Sequence, residues 1–244
     1  MKKAAIFMDL DDTIFQTSRK IGLKNDLTVG AFGPNGEPLS FLTPSQVALL
    51  GLFRQVATVI PTTARNRESF GRVRLKFAHG AILNFGGLIL DPQNEVDWKW
   101  YERTKPLTLA ANNLLTESLA LTTQEIHNLQ FFARARIISD CDLPFYLVVK
   151  TKPERLFELE VLRDLLARRF KNEANIYLND NNLALLPKFL DKKYAVEYFV
   201  DTYLRNESDD LLLFGMGDSF SDLGFLNLCD YQLIPSASQL GRRA

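Results

Sequence analysis

The sequence has few of the residues that build disulfide frameworks, soft-metal sites or histidine-dependent catalysis. Among 244 residues there are 2 cysteines and 2 histidines. Cys141 and Cys229 lack the spacing of metal-ligand pairs, and we expect both to be reduced and at least one to be buried. His79 and His127 alone offer too little for a zinc site or a histidine-based triad.

The sequence also lacks an excess of either charge and any long apolar run. Lysine plus arginine and aspartate plus glutamate both number 29, so the formal net charge is zero. This balance gives no support for a nucleic-acid or polybasic membrane partner and leaves room only for a local basic patch. The apolar stretch after the N-terminal lysines ends at Asp9, too early for a signal peptide, and runs such as VALLGLF cannot span a bilayer. We therefore expect a cytoplasmic protein.

What the sequence does contain is an alternation of short apolar runs with amphipathic segments. The runs AAIFM, TVIP and DLLLFGMGD are typical of strands that are buried on both faces of a parallel sheet. Thr43 and Pro44 mark the beginning of a helix ahead of the second of these strands. The pattern predicts an α/β fold with a doubly wound, mostly parallel, Rossmann-like core sheet.

The middle of the chain departs from this alternation. Long helical stretches and short strands paired around SDCDLP predict an antiparallel sheet with helices, inserted into the core as an α+β domain. Two further stretches are interpreted from their composition. RESFGRVRLKFA is basic and resembles a helix, and VDWKWYE resembles a turn. The expected division is a first core part at 1–88, the insert at 89–183 and a second core part at 184–244.

Polar side chains follow the predicted core strands at the points where they end. DLDDT follows the first strand, TTAR the second and GMGDSFSD the last, and the pair DKK opens the helix before the last strand. Each stretch alone has a structural explanation as a helix cap, a turn or a solvated helix residue. In doubly wound sheets, however, ligands bind beyond the carboxyl ends of the strands, so we expect these groups to meet at one site.

The order of these stretches resembles the motifs of phosphatases of the haloacid dehalogenase superfamily. The similarity is greatest to the branch with a large α/β cap inserted between the second and third motifs, which includes Cof-type and sucrose-phosphate phosphatases. Ser221, Ala64 and Lys193 depart from the residues usual in these motifs, but none of the three replaces a group with a direct chemical role. The matching residues are Asp9, Asp11, Thr13, Thr63, Lys192, Asp218 and Asp222.

The resemblance implies a Mg²⁺-dependent phosphohydrolase that acts through an aspartyl-phosphate. By the family pattern, Asp9 is the nucleophile and Asp11 the general acid and base. Thr63 and Lys192 would contact phosphoryl oxygens. The implied metal ligands are Asp9, the backbone carbonyl of Asp11, Asp218 and Asp222, the last of which would orient a metal-bound water or pair with Lys192.

The expected substrate is a small phosphorylated metabolite such as a sugar phosphate. Arg65 and Asn84 are candidate substrate contacts, although a salt bridge for Arg65 and a turn hydrogen bond for Asn84 explain them equally well. Two other functions stay open at this point. One is a phosphomutase or phosphotransferase on sugar phosphates, and the other is a non-catalytic protein that binds a phosphorylated ligand. The sequence leaves the oligomeric state open.

Overall fold

The computed structural model describes residues 4–22, 26–205 and 210–242 of the chain. The chain forms two compact units, the first from Met1–Trp98 together with Lys192–Ala244 and the second from Lys99–Asp191. The second unit is therefore an insertion in the first.

The bounds of this insertion differ from the 89–183 expected. The chain from residue 91 to Trp98 stays with the first unit, where the N–H of Asp97 donates to the carbonyl of Ile89 at 3.0 Å. At the other end, residues 182–187 pair with strands of the second unit's sheet and so belong to it. Hydrogen bonding thus places residues 91–98 with the first unit and residues 182–187 with the second.

The strands among the described residues are short. They are β1 (Ala4–Met8), β2 (Gln16–Thr17), β3 (Thr28–Phe32), β4 (Pro38–Leu42), β5 (Thr58–Pro61), β6 (Ala81–Leu83), β7 (Leu88–Leu90), β8 (Ala133–Asp140), β9 (Leu143–Thr151), β10 (Ala174–Asn179), β11 (Asn182–Pro187), β12 (Leu212–Met216) and β13 (Tyr231–Leu233).

The helices vary more in length. They are α1 (Ser18–Ile21), α2 (Pro44–Val56), α3 (Arg67–Phe70), α4 (Trp98–Ala110), α5 (Asn112–Asn128), α6 (Leu156–Phe170), α7 (Lys192–Phe199) and α8 (Leu223–Leu226). Short 3₁₀ turns cover Asn84–Gly86, Pro153–Arg155 and Phe220–Asp222, and α7 continues as a π-helical turn over Val200–Leu204. Across the described ranges, every helix is too short or too polar to cross a membrane.

The core of the first unit is a parallel sheet in the order β13-β12-β1-β5. The central strand β1 is covered on both faces, since its residues from Ala5 to Met8 have no exposed surface. This explains its uninterrupted apolar sequence. Helix α2 begins as predicted: Thr43 accepts a hydrogen bond from the N–H of Gln46, and Pro44 is its first residue. The α/β core sheet is therefore confirmed.

A small antiparallel sheet, β2-β4-β3, lies in the sequence between β1 and α2. Its outer strand β3 is extended by a bridge from Ala31 to Val73, so the chain after α3 runs alongside it. The prediction of a helix throughout RESFGRVRLKFA is therefore wrong. Asn66 caps a helix of only four residues, and beyond Gly71 the apolar residues alternate with basic ones, which is the period of a strand.

The second unit is an antiparallel sheet in the order β10-β11-β9-β8, with α5 and α6 packed against one face. Its core holds side chains from both layers, among them Leu115, Leu147 and Leu162. The α+β character of the insert is thus confirmed. The predicted turn VDWKWYE is wrong, because helix α4 begins within it at Trp98 and buries Trp100.

Both cysteines are free thiols, as expected, but both are partly exposed, so the prediction that one would be buried is wrong. Cys141 lies in the tight turn between β8 and β9, with a φ of 47°. Cys229 follows α8, and there partial burial, helped by Asp230, raises the pKa of its thiol to about 12. The thiol of Cys229 is therefore protonated at neutral pH.

Gly80, just before β6, and Gly36 have the same left-handed backbone conformation but different surroundings. Gly80 has a φ of +84° and Gly36 a φ of +83°. A Cβ at Gly80 would run into the backbone carbonyls of Leu90 and Asp91, whereas a Cβ at Gly36 would meet open space. We predict that Gly36→Ala lowers the free energy of unfolding by about 1–2 kcal/mol and that Gly80→Ala lowers it clearly more. Equal losses in denaturant titrations of the two variants would contradict the packing described.

Candidate active site

Three polar groups lie at one edge of the core sheet because three parallel strands end there. Asp9 follows β1, Thr63 follows β5 and Asp218 follows β12. Strand β1 lies between the other two, and Met8 is in register with Pro61 on one side and with Met216 on the other. The N–H of Asp9 donates to the carbonyl of Met216 at 2.8 Å, which extends this register to the residue after the strand.

Three buried carboxylates gather around one buried ammonium group at this edge. Asp9, Asp218 and Asp222 each offer an oxygen within 4.8 Å of the others. Nζ of Lys192 donates to Oδ1 of Asp9 at 2.7 Å and to Oδ1 of Asp222 at 2.6 Å. Lys192 is 2% exposed and Asp222 fully buried. We call these four residues the carboxylate cluster, and it has a net negative charge when all four side chains are ionised.

Asp222 organises the loop that carries Asp218. Its Oδ2 accepts hydrogen bonds from the N–H of Asp218 at 3.1 Å and from the N–H and hydroxyl of Ser219 at 3.0 and 2.9 Å. Gly217 leaves room for this side chain, since a Cβ there would lie 2.7 Å from that of Asp222. Both oxygens of Asp222 are thus engaged by this chain's own donors.

Thr13 reaches the cluster through a tight turn after β1. The N–H of Phe15 donates to the carbonyl of Leu10 at 3.2 Å, which folds the chain back toward the strand end. The hydroxyl of Thr13 then lies 3.2 Å from Oδ2 of Asp9 and 3.3 Å from Oδ1 of Asp218. A hydroxyl has one proton, so it donates to one of these carboxylates at a time.

Burial and neighbouring charge shift the ionisation of the cluster. Burial raises the pKa of Asp9 well above its usual range; Lys192 opposes this, while Asp222 and Asp218 add to it. Burial by itself would lower the pKa of Lys192, but the carboxylates of Asp222 and Asp9 outweigh it and raise that pKa. Lys192 therefore stays charged, whereas the ionised form of Asp9 is disfavoured.

Asp11 lies in the same turn but is paired outside the cluster. Its two oxygens accept from Nε and one terminal nitrogen of Arg65 at 2.7 and 2.8 Å. Another guanidinium nitrogen of Arg65 donates to the carbonyl of Ser69 at 3.0 Å, and the group lies over the ring of Phe15. The salt bridge considered for Arg65 is therefore present, and its partner is the predicted acid and base.

Thr63 and Asn84 are buried where the chain just after β5 runs alongside the β6–β7 hairpin. The hydroxyl of Thr63 accepts from the N–H of Arg65 at 3.2 Å, and its carbonyl accepts from the N–H of Phe85 at 3.1 Å. The N–H of Asn84 donates to the carbonyl of Arg65 at 2.9 Å. These bonds hold the backbone of both residues beside the strand end, as parts of the turn structure.

Two aromatic residues near the lysine were missed by sequence reasoning. The rings of Phe85 and Phe225 lie 5.8 and 5.6 Å from Nζ of Lys192. Both fall in stretches whose apolar residues are explained by the core alone, so the sequence contained no signal for this contact. Their quadrupoles favour a cation at Nζ.

Comparisons with known proteins bear on the fold. No family model and no curated protein sequence matches the chain. Solved structures do. The sucrose-phosphatase of Synechocystis sp. PCC6803, solved with sucrose and phosphate, is 14% identical, with a TM-score of 0.51 over 99% of this chain and 95% of that one. The C-terminal domain of trehalose-6-phosphate phosphatase from C. albicans is 13% identical, with a TM-score of 0.55 over 93% of this chain and 73% of that one.

A protein of Thermotoga maritima is 15% identical, with a TM-score of 0.51 over 100% of this chain and 90% of that one. The chain shares the fold of the sucrose-phosphatase and of the Thermotoga maritima protein. The likeness expected from the motifs thus extends to the whole polypeptide. At these sequence identities, what is shared is the fold.

The charge balance of the carboxylate cluster can be tested by removing its ammonium group. We predict that Lys192→Met, measured without divalent cations, lowers the free energy of unfolding by about 3–5 kcal/mol, because it leaves buried carboxylates uncompensated. The raised pKa of Asp9 means that the folded state binds protons which the unfolded state has released, so the loss is largest at high pH and shrinks as the pH falls.

Lys193→Met is the matched control, since Lys193 is the next residue of α7 and only partly buried. It should change the free energy of unfolding by less than about 1 kcal/mol. Denaturant titrations at pH 5 and pH 8 compare the two variants. Similar losses for both, or a pH-independent loss for Lys192→Met, would show that the cluster is not electrostatically strained.

Proposed function

We propose that this chain is a haloacid dehalogenase superfamily enzyme, a Mg²⁺-dependent phosphohydrolase that cleaves a small phosphorylated metabolite. The observation that carries the proposal is the carboxylate cluster, in which carboxylates from two distant parts of the chain surround a lysine from a third at the ends of parallel strands. Holding four ionisable groups in a buried site costs stability, and such arrangements are concentrated where chemistry is done.

The donor set of the cluster fits Mg²⁺. Its ligand atoms are hard carboxylate oxygens, and its net negative charge calls for a cation. We assign the side chains of Asp9 and Asp218 and the backbone carbonyl of Asp11 as ligands. Asp222 was also a candidate ligand, but its oxygens are engaged by Lys192, Ser219 and the loop backbone, which supports the role of positioning Lys192. When bound, the ion would offset the negative charge of the carboxylates and the phosphoryl group.

Asp9 is the proposed nucleophile. Lys192 holds its Oδ1, and the hydroxyl of Thr13 lies at Oδ2, so the carboxylate is fixed in orientation before substrate arrives. An oxygen of Asp9 attacks phosphorus, the bond from phosphorus to the leaving oxygen breaks, and that oxygen takes a proton from Asp11. A water oxygen then attacks the same phosphorus, gives a proton to Asp11 and displaces Asp9, which releases inorganic phosphate.

The Asp11–Arg65 ion pair bears on the two proposed proton transfers, in which Asp11 first gives a proton to the leaving oxygen and then takes one from water. Both carboxyl oxygens of Asp11 accept hydrogen bonds from Arg65, so in this arrangement Asp11 is not placed to donate a proton to a leaving group. For the first half of the cycle Asp11 must carry a proton, which requires Arg65 to move away. Arg65 is therefore proposed to exchange between Asp11 and an anionic group of the substrate.

Fixed positive and polar groups complete the site. Lys192 is proposed to neutralise a phosphoryl oxygen, and the hydroxyl of Thr63 to donate to another. Asn84 is proposed as a substrate contact beside Arg65. The substrate class rests on the structures with the same fold, which are named for sucrose phosphate and trehalose-6-phosphate hydrolysis, so a sugar phosphate is the first choice.

Binding of the metal can be measured without any turnover. We predict that Mg²⁺ raises the thermal unfolding temperature of the EDTA-treated protein, by an amount that corresponds to about 2.7 kcal/mol at a hundredfold excess over Kd. Asp218→Asn should abolish this rise because it removes a ligand. Asp12→Asn is the control, since Asp12 is partly exposed and paired with Lys20. A full rise in Asp218→Asn would refute the proposed site.

The nucleophile is tested with a panel of sugar phosphates in the presence of Mg²⁺. We predict that Asp9→Asn reduces phosphate release at least a thousandfold, since the amide cannot form the covalent intermediate, while Asp12→Asn retains activity within a few-fold. Circular dichroism checks that both variants are folded. Undiminished release in Asp9→Asn would exclude the mechanism.

Analysis of the products separates the proposed hydrolase from the other two functions. A hydrolase yields one inorganic phosphate for each substrate consumed, whereas a mutase yields an isomeric sugar phosphate and little free phosphate. Tight binding of sugar phosphates with no turnover across the panel would instead identify a non-catalytic ligand-binding protein.

A further inference from the structure

A second concave site lies in the first unit and shares no residue with the carboxylate cluster. It is a cavity of about 600 Å³ between the turn after β3 and the chain that follows α3. We call it the basic groove. The lining residues that matter here are Phe32, Gly33, Gly36, Arg72, Arg74 and Lys76.

The strand-like alternation of residues 72–77 places the three cations together. Val73, Leu75 and Phe77 pack against the hydrophobic core of the first unit. The alternate residues are the basic ones, and all three line the groove. The segment is fixed in this orientation because it is hydrogen-bonded to β3: the N–H of Arg74 donates to the carbonyl of Gly30 at 2.8 Å. In an extended chain every second Cα atom is about 6.6–6.8 Å further on, so the three basic residues follow one another as a row along one side of the segment.

Two acids lie near this row, and one of them pairs with Arg72. Glu68 pairs with Arg72 at 2.7 Å, but the carboxylate of Glu68 is largely exposed to water. Glu37 lies at the turn, where it accepts the N–H of Asn35. Among the residues that the structure describes, the side chains of Arg74 and Lys76 form no ion pair.

The arginines are also held in a manner that suits an anion. The guanidinium of Arg74 lies 5.5 Å from the ring of Phe32, which limits its freedom before any ligand binds. Nε of Arg72 is buried and has no acceptor among the described residues.

We propose that the basic groove binds a small polyanion with two or more phosphate groups. A single monoanion cannot engage three cations spread over five residues, whereas linked phosphates can. The volume of the groove is in the range of small-molecule sites. Gly36 leaves open space at the turn, whereas the carboxylate of Glu37 lies beside Gly33. A nucleoside polyphosphate and a sugar bisphosphate share this chemistry.

The test measures binding by calorimetry in EDTA at low ionic strength, with inorganic tripolyphosphate, ATP and fructose 1,6-bisphosphate as probes. Without a divalent cation the carboxylate cluster repels anions, so binding at the groove is measured by itself, whether or not the chain is an enzyme. We expect one site per chain and an affinity that falls as salt is added. Tighter binding of ATP or of the bisphosphate tells the two sources apart.

The decisive variant is Arg74→Ser combined with Lys76→Ser, and its control is Arg168→Ser combined with Lys171→Ser. Both remove two exposed cations, but the second pair lies in the inserted unit. We expect the first variant to weaken tripolyphosphate binding at least tenfold and the second to weaken it less than twofold. The single variant Lys76→Glu, at an exposed position, repeats the test if the double variant fails to fold.

Three outcomes would overturn the proposal. They are the absence of binding by all three probes at millimolar concentration, equal weakening by both double variants, and binding of oligonucleotides or acidic peptides without binding of the small probes. The last would mean that the groove serves a macromolecule.

Discussion

The first unit depends on one interaction, the placement of a single ammonium group between buried carboxylates. Lys192 Nζ joins Asp9 on the central strand to Asp222 on the loop after β12, residues separated by 183 and 30 positions from the lysine. Desolvating these charges is expensive, and their mutual attraction offsets that cost only while every partner is in place. The strand ends, the loop around Gly217 and the beginning of α7 therefore have to fold together.

Lys192 is also the residue at which the chain returns from the inserted unit to the first unit. The chain leaves the first unit at Trp98 and returns to it at Lys192, so the first residue after the inserted unit is the buried lysine itself. The insert has its own sheet and its own hydrophobic core, with Leu147 and Leu162 among the buried residues. Each unit thus has its own sheet and its own apolar core, and the chain that leaves the insert begins with a residue of the cluster.

Local signals predicted the elements whose structure is decided locally. The apolar run of β1 and the Thr43 cap of α2 were read correctly, because full burial and capping each leave a short, specific pattern. The chain after α3 was misread because its basic composition was given more weight than its period of two, and that period is satisfied only when Val73 and Leu75 find the core beside β3. The start of α4 was misread because tryptophans near a polar turn resemble a loop until Trp100 is seen buried.

The sequence by itself determined the α/β class, the strand ends that hold polar groups, and the set Asp9, Asp218, Asp222 and Lys192, since motif order is a property of the chain. The tertiary structure alone decided that Asp11 is paired with Arg65 and that three cations share a groove. It also decided that the aromatic rings of Phe85 and Phe225 lie near Nζ of Lys192. These contacts join residues far apart in the chain, and such contacts have no periodicity or spacing that a sequence can display.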